Sequence, residues 1–111
     1  MTPFSPIRIA ADGTYYVSGQ LPADKSASPA EQAASCLEAI DAVLARAGLT
    51  RDSILKTTLF TTELSALAEI NGAYTAFFAG MEPPARSAFG VTALAQGAAV
   101  EIDAYGQATQ V

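Results

Sequence analysis

One helix has both of its ends marked in the sequence, and this limits the fold more than any other feature. Ser28-Pro29-Ala30-Glu31 is typical of a helix start, because serine caps, proline suits the first helical position and glutamate completes a capping box. Apolar residues then recur at helical spacing as far as Ala47, and Gly48 is typical of a helix end. The opposite side of the helix is predicted to carry polar residues, namely Gln32, Ser35, Glu38 and Asp41.

Segments that favour β-structure lie on both sides of this helix. Asp12-Gly13, between residues 7–11 and 14–18, is a strong signal for a hairpin with a two-residue turn. Residues 53–62 are rich in β-branched and apolar side chains and predict a third strand. Residues 86–94 and 99–105 predict two more strands, which we expect to pair across a turn at 95–98.

A second helix is predicted to start at a capping residue, Ser65, and to end at Gly80, before Pro83-Pro84. Its apolar stripe is most simply core: Leu67, Ile70, Tyr74, Phe77 and Phe78. The order β-β-α-β-α-β-β predicts an α+β fold with two helices packed on one face of a mixed sheet. A chain of 111 residues is expected to form a single domain spanning 1–111.

The composition excludes several classes of function. The net charge is −5 and the six basic residues are scattered, so neither nucleic acid nor a membrane surface is an expected partner. With no histidine and one cysteine, Cys36, the usual zinc, copper and haem ligands and histidine-dependent nucleophiles are missing. No cofactor is expected. No secretory signal or membrane span is visible, so the expected location is cytoplasmic. The hydrophobic content of 50% favours an oligomer interface.

Two charged residues are the first candidates for chemistry. Arg86 opens a predicted strand after Pro83-Pro84-Ala85, and its planar guanidinium matches a carboxylate. The alternative is an ordinary surface arginine or a salt bridge. Glu101 shares a strand face with Ala99 and Asp103 by alternation. It is either a solvent-facing residue or a partly buried carboxylate that orients a water or moves a proton.

The remaining candidates are small polar groups. Ser18 and Gly19 are either a strand end or a place where the backbone approaches a ligand. Asn71, in the second helix, is either a surface residue or part of a binding site. Cys36 lies on a helix with no basic neighbour in sequence, so we expect an inert, packed thiol.

Taken in order, short blocks along nearly the whole chain resemble the RidA (YjgF) family. They are Tyr16-Val17-Ser18-Gly19-Gln20-Leu21-Pro22, Ala45 to Leu49, Lys56-Thr57-Thr58-Leu59-Phe60, Ile70-Asn71 with Tyr74 and Phe77-Phe78, Pro84-Ala85-Arg86-Ser87, and Val100-Glu101-Ile102. The resemblance implies a chorismate-mutase-like α+β fold assembled as a homotrimer, with ligand clefts between subunits. It also implies hydrolysis of 2-iminopropanoate-type imines to 2-keto acids and ammonia.

The resemblance further implies roles for individual residues. Arg86 would bind the substrate carboxylate and Glu101 would activate water, while Ser18, Gly19 and Asn71 would line the cleft.

Two positions depart from the family pattern, because Phe4 stands where the family often has tyrosine and Ala88 where it has cysteine. Both belong to the expected substrate-binding set, so they bear on substrate identity. Two other functions stay open: a non-catalytic module that binds small carboxylates or a protein, and a specialised enzyme acting on a bulkier imine.

Overall fold

Strands and helices follow one another in the predicted order. The structure is a computed structural model that describes residues 2–108. The strands are Ile7–Ile9 (β1), Thr14–Gln20 (β2), Ile54–Thr61 (β3), Ala85–Gly90 (β4) and Val100–Gln107 (β5), and the helices are Pro29–Arg46 (α1) and Leu67–Phe77 (α2). None of the helices in this range combines the length and the hydropathy needed to cross a membrane.

The five strands form one mixed sheet in the order β1-β2-β5-β3-β4. Only the β3–β4 pair is parallel, and α2 connects these two strands as a crossover helix. The predicted α+β class, with two helices on a mixed sheet, is confirmed. The predicted pairing of the last two strands is wrong, because β3 lies between β4 and β5.

The alternation of β5 separates a covered face of the sheet from an open one. Val100, Ile102 and Ala104 are fully buried and pack with residues of α1 such as Leu37 and Leu44 in one hydrophobic core. The residues between them point to the other side of the sheet, as alternation requires. Glu101 therefore lies on the open face together with Asp103, as predicted from the sequence.

Exposed aromatic residues cover much of the open face. Tyr16 of β2 and Tyr105 of β5 lie opposite each other, with ring centroids 5.7 Å apart. Phe60 of β3 and Phe89 of β4 stack at 5.9 Å. Tyr16 and Phe89 each remain 51% exposed, so this face has the apolar character of a surface that a partner could cover.

The local signals at helix α1 were correct. Ser28 accepts a hydrogen bond from the N–H of Glu31, and the Glu31 carboxylate accepts one from the N–H of Ser28, which completes the capping box. The chain leaves the helix through Gly48, whose φ of +76° favours glycine. The first hairpin is also present, but its loop has four residues, 10–13, and β1 is correspondingly shorter than predicted.

Two predictions about helix surfaces are wrong. Gln32 was expected on the polar side of α1, but it is buried at 2% exposure because its amide serves the backbone. It donates to the carbonyls of Lys25 and Ala27 and accepts from the N–H of Ala99. Ser65 does not cap α2, because the chain enters that helix through a 3-10 turn, Leu64–Ala66, and the N-cap is Ala66.

Candidate functional site

Arg86 lies at the start of β4, on the covered face of the sheet and beside α2. Its partner in the parallel register is Thr57, which faces the core. One guanidinium nitrogen, Nη1, donates to Oδ1 of Asn71 at 2.7 Å. The centre of the guanidinium lies 4.8 Å from the ring centroid of Tyr74. Among residues 2–108 no carboxylate lies within ion-pair distance of this half-buried cation.

The helix positions both partners of Arg86. Asn71 and Tyr74 are three residues apart on α2, so they lie on the same side of the helix, one turn after the other. The Tyr74 hydroxyl shares a hydrogen bond of 3.1 Å with the Thr57 hydroxyl. Burial raises the pKa of Tyr74 to about 12, although the Thr57 bond and the Arg86 charge act in the opposite direction. Both partners of Arg86 are therefore neutral at physiological pH.

Glu101 belongs to a second group of residues, on the open face. Together with Phe4, Ser18 and Gly19 it lines a cavity of about 280 Å³. The backbone approaches closely here, because a Cβ on Gly19 would collide with the Glu101 carboxylate. The Ser18 hydroxyl donates to the Ser5 carbonyl at 2.6 Å and holds the N-terminal segment against β2.

The environment of Glu101 favours its neutral form. Partial burial is the main cause that raises its pKa, and the nearby Asp103 carboxylate raises it further. Asp103 is itself anchored, because it accepts a hydrogen bond from the N–H of Thr58 at 3.1 Å. A carboxylate with a raised pKa is better suited to take a proton from water than an ordinary surface carboxylate.

These two groups do not meet within one chain. Arg86 on β4 pairs with Thr57 on β3, which pairs on its other side with Ala104 on β5. Glu101 on β5 pairs with Phe60 on β3, which pairs on its other side with Phe89 on β4. Two strand spacings and three residues therefore separate them, roughly 14 Å between their Cα atoms, and they lie on opposite faces of the sheet. The expectation that their strands pair with each other does not hold, so a small ligand cannot touch both residues of the same chain.

Comparison with known proteins identifies the family of this chain. The family model described as endoribonuclease L-PSP matches residues 1–108. The RutC family protein y4sK of Sinorhizobium fredii is 43% identical over 95 residues, which cover 80% of this chain and 75% of that protein. The chain belongs to this family, in which the sequence analysis placed it under the name RidA.

Two further members of the RidA family are informative. The 2-iminobutanoate/2-iminopropanoate deaminase of Salmonella typhimurium is 39% identical over 94 residues, which cover 78% of this chain and 73% of that protein. The crystal structure of TdcF from E. coli, with bound serine, superposes with a TM-score of 0.88 at 29% identity and covers 98% of this chain and 91% of that one.

The two departures from the RidA pattern occupy different groups. Phe4 is 64% exposed and forms one wall of the Glu101 cavity. Ala88 follows Arg86 on the same face of β4 and is half-buried against the core beside Leu59. One departure thus changes the surroundings of Glu101 and the other those of Arg86.

The other sequence candidates are accounted for by packing. Cys36 is fully buried and its thiol donates to the Val100 carbonyl at 3.5 Å. Burial, with a smaller contribution from Glu101, raises the pKa of Cys36 to about 12, so it is no nucleophile at neutral pH. Within residues 2–108 no group of three or more Asp, Glu, Cys or His side chains is arranged to hold a metal ion. A further cavity is lined by Gly48, Leu49, Thr50, Asp52 and Ser53, and none of these has a cationic side chain that could hold a carboxylate.

Sequence reasoning missed one residue of the site. Tyr74 was assigned to the core with Phe77 and Phe78, yet its ring lies under the Arg86 guanidinium. Its spacing of three residues from Asn71 was the signal that could have placed it there, since residues so spaced on a helix are neighbours.

Proposed function

We propose that the chain hydrolyses 2-imino or enamine acids to 2-keto acids and ammonia. The observation that carries this proposal is the state of Arg86, a half-buried cation whose contacts among residues 2–108 are neutral. Such a guanidinium keeps its full charge for an incoming carboxylate, which it can bind through two parallel hydrogen bonds.

In the proposed reaction, Arg86 holds the carboxylate and thereby fixes the neighbouring C=N carbon. Glu101 takes a proton from a water molecule while the water oxygen bonds to that carbon. The electron pair of the C=N bond moves to nitrogen, which takes that proton back from Glu101, and an amino alcohol results. Glu101 then carries the hydroxyl proton to the amino group while the C–N bond breaks and the C=O bond forms, so that ammonia and the ketone leave. No cofactor takes part in these steps.

Because Arg86 and Glu101 are separated within one chain, the proposal requires a cleft between subunits. Arg86, Asn71 and Ala88 of one copy would face Phe4, Ser18, Gly19 and Glu101 of the next, within a homotrimer. The exposed aromatic open face supports self-association. The names of the relatives agree with the chemistry: one is a 2-iminobutanoate/2-iminopropanoate deaminase, and TdcF holds serine, which also carries a carboxylate.

The test replaces Arg86, the residue proposed to bind the substrate carboxylate. An amino-acid oxidase generates 2-iminopropanoate in situ, and semicarbazide traps the imine that remains. Wild-type protein should suppress the trapped product. Arg86→Ala should reduce kcat/KM by roughly 10²-fold, since each hydrogen bond to a charged group contributes about 1.5–3 kcal/mol. Arg86→Lys keeps the charge without the planar fork, so it should be nearly as impaired.

A binding module is the alternative that the same residues allow. Phe4 and Ala88 replace residues that many family members carry in the cleft, which is compatible with a changed ligand or a lost reaction. If wild type leaves several small and bulky imines untouched but binds 2-keto acids through Arg86, the enzymatic proposal is wrong and the binding module replaces it. Turnover of bulky imines only would indicate the specialised enzyme.

A further inference from the structure

We propose that Tyr74 is a positioning residue, whose ring fixes the plane of the Arg86 guanidinium so that its unpaired edge faces the incoming carboxylate. The inference rests on the proposed function, because it gives Tyr74 a task only if Arg86 binds a carboxylate. It assigns that task to a side chain whose sequence pattern suggested core packing alone.

The first argument is geometric. Arg86 is on β4, the edge strand of the sheet, and β3 is its only neighbouring strand among residues 2–108. An arginine side chain in such a place has many rotamers, and ordering it costs up to about 2 kcal/mol. Here two contacts restrict it: Asn71 accepts from Nη1 at 2.7 Å, and the Tyr74 ring lies 4.8 Å from the guanidinium centre.

The ring is itself held in place. The Tyr74 hydroxyl bonds to the hydroxyl of Thr57, which is fully buried. Thr57 is also the register partner of Arg86 on the adjacent strand. Backbone pairing, the hydroxyl pair and the stacking contact therefore link Thr57, Tyr74 and Arg86 in a closed arrangement that leaves few orientations for the guanidinium.

A second arginine of the chain, Arg51, also lies over an aromatic ring of α2, but in a purely structural contact. Arg51 lies 4.0 Å from the ring centroid of Phe77, also on α2. Its guanidinium donates to the Phe77 carbonyl at 2.9 Å and pairs with the Asp41 carboxylate at 2.8 Å, so it already has an anionic partner. Arg86 has the ring and one amide but no carboxylate among residues 2–108. Arg86 therefore keeps N–H donors with which it can bind the carboxylate of a ligand.

The experiment compares three substitutions of the ring. Tyr74→Leu removes the π-face and should lower kcat/KM for 2-iminopropanoate by roughly tenfold and weaken pyruvate binding by a similar factor. Tyr74→Phe keeps the face and loses only the Thr57 bond, so it should stay within about threefold of wild type. Tyr74→Met fills the volume without a ring and should behave like Tyr74→Leu, which guards against a packing defect in either one.

Phe77→Leu is the matched control, because it removes the ring under Arg51 on the same helix. It should lower the melting temperature but leave pyruvate affinity and kcat/KM unchanged. In an Arg86→Ala background, Tyr74→Leu should cause no further loss, since the ring acts through the arginine.

The inference is overturned if folded Tyr74→Leu and Tyr74→Met keep wild-type pyruvate affinity, or if Tyr74→Phe is as impaired as both. It is also overturned if the loss persists in the Arg86→Ala background. Failure of the proposed function gives a different result: wild type then hydrolyses no imine, and the pyruvate dissociation constants alone decide the role of Tyr74. Absence of both activities in wild type overturns both proposals.

Discussion

At the scale of single residues, Glu101 lies in surroundings that disfavour its charged form and so lower the stability of the folded protein. Its carboxylate is partly removed from water and lies near Asp103, and both effects disfavour its charge. Gly19 leaves room for it, since any larger residue would displace the carboxylate. A solvent-facing glutamate kept only for solubility needs none of these arrangements. We therefore interpret Glu101 as a residue retained for chemistry.

Glu101→Gln should separate the effect of Glu101 on turnover from its effect on stability. The variant keeps the shape and removes the charge, so kcat should fall by about 10²-fold, the lower end of the usual contribution of general acid–base catalysis. The free energy of unfolding at pH 7 should rise or stay level. Coupled trapping assays and urea denaturation measure the two effects, and Glu38→Gln on the exposed surface of α1 is the control.

The pH dependence of this variant has a defined sign. The pKa of Glu101 is raised in the folded state, so ionisation costs the folded protein more than the unfolded chain. Below the unfolded pKa both states are protonated, and wild type and Glu101→Gln should be equally stable. The advantage of the variant should appear as pH rises through the folded pKa. An unfolding free energy that falls with Glu101→Gln at neutral pH would instead mark Glu101 as structural.

Single candidate residues were easier to propose from the sequence than the contacts between them. Arg86, Glu101 and Asn71 were visible because a charged or amide side chain beside apolar residues is noticeable in a single sequence. Tyr74 was not, because an aromatic residue in a helical stripe is equally consistent with a core position. Only the parallel pairing of β3 with β4 places Arg86 over its ring, and that pairing depends on contacts far apart in the chain.

At the scale of elements, the two helix starts show what local sequence can decide. Ser28 is followed by Pro29 and by Glu31 three residues on, and the full capping box forms. Ser65 has its glutamate, Glu69, four residues on, and it lies inside a 3-10 turn without a cap hydrogen bond. The capping box was therefore the reliable signal, and a lone serine before an apolar stripe was not.

This contrast predicts different costs for the same substitution. Ser28→Ala should lower the free energy of unfolding by about 1 kcal/mol, because an N–H at the start of α1 loses its acceptor. Ser65→Ala should change it by less than about 0.5 kcal/mol, as is usual for an exposed position. Urea denaturation of both variants measures the difference. Equal losses would contradict the assignment of the two caps.

The order of the strands was beyond local sequence. A short turn before β5 suggested a hairpin with β4, but residues 95–97 form a 3-10 turn and β5 inserts between β2 and β3. The turn chemistry shows that the chain changes direction and does not show which strand it will join. The wrong pairing would have placed Arg86 and Glu101 side by side in one chain. The correct one separates them.

At the scale of the whole molecule, charge argues against one activity that the description of the family suggests. An endoribonuclease must hold a phosphate backbone, which requires a basic groove. This chain has a net charge of −5 with six basic residues, one of which, Arg51, is paired with Asp41. A single unpaired guanidinium such as that of Arg86 suits one small carboxylate better than a polynucleotide.

The proposed trimer can be tested directly. If the site lies between subunits, light scattering should give about three times 11.4 kDa, and Phe89→Glu should reduce this mass by placing a charge in the aromatic open face. Wild-type protein that stays monomeric at micromolar concentration would contradict both the trimer and the shared cleft.

A sharper measurement combines two inactive variants. Chains with Arg86→Ala and chains with Glu101→Gln are co-expressed with different tags, and assemblies that contain both are purified through both tags. In a threefold ring each cleft takes Arg86 from one chain and Glu101 from the next. Every mixed trimer then has one cleft with both residues intact and should recover roughly a third of wild-type turnover. Mixed trimers of Arg86→Ala with Arg86→Lys are the control, and they should recover none. If folded mixed trimers of the first pair are also inactive, Arg86 and Glu101 do not act on one substrate from neighbouring chains.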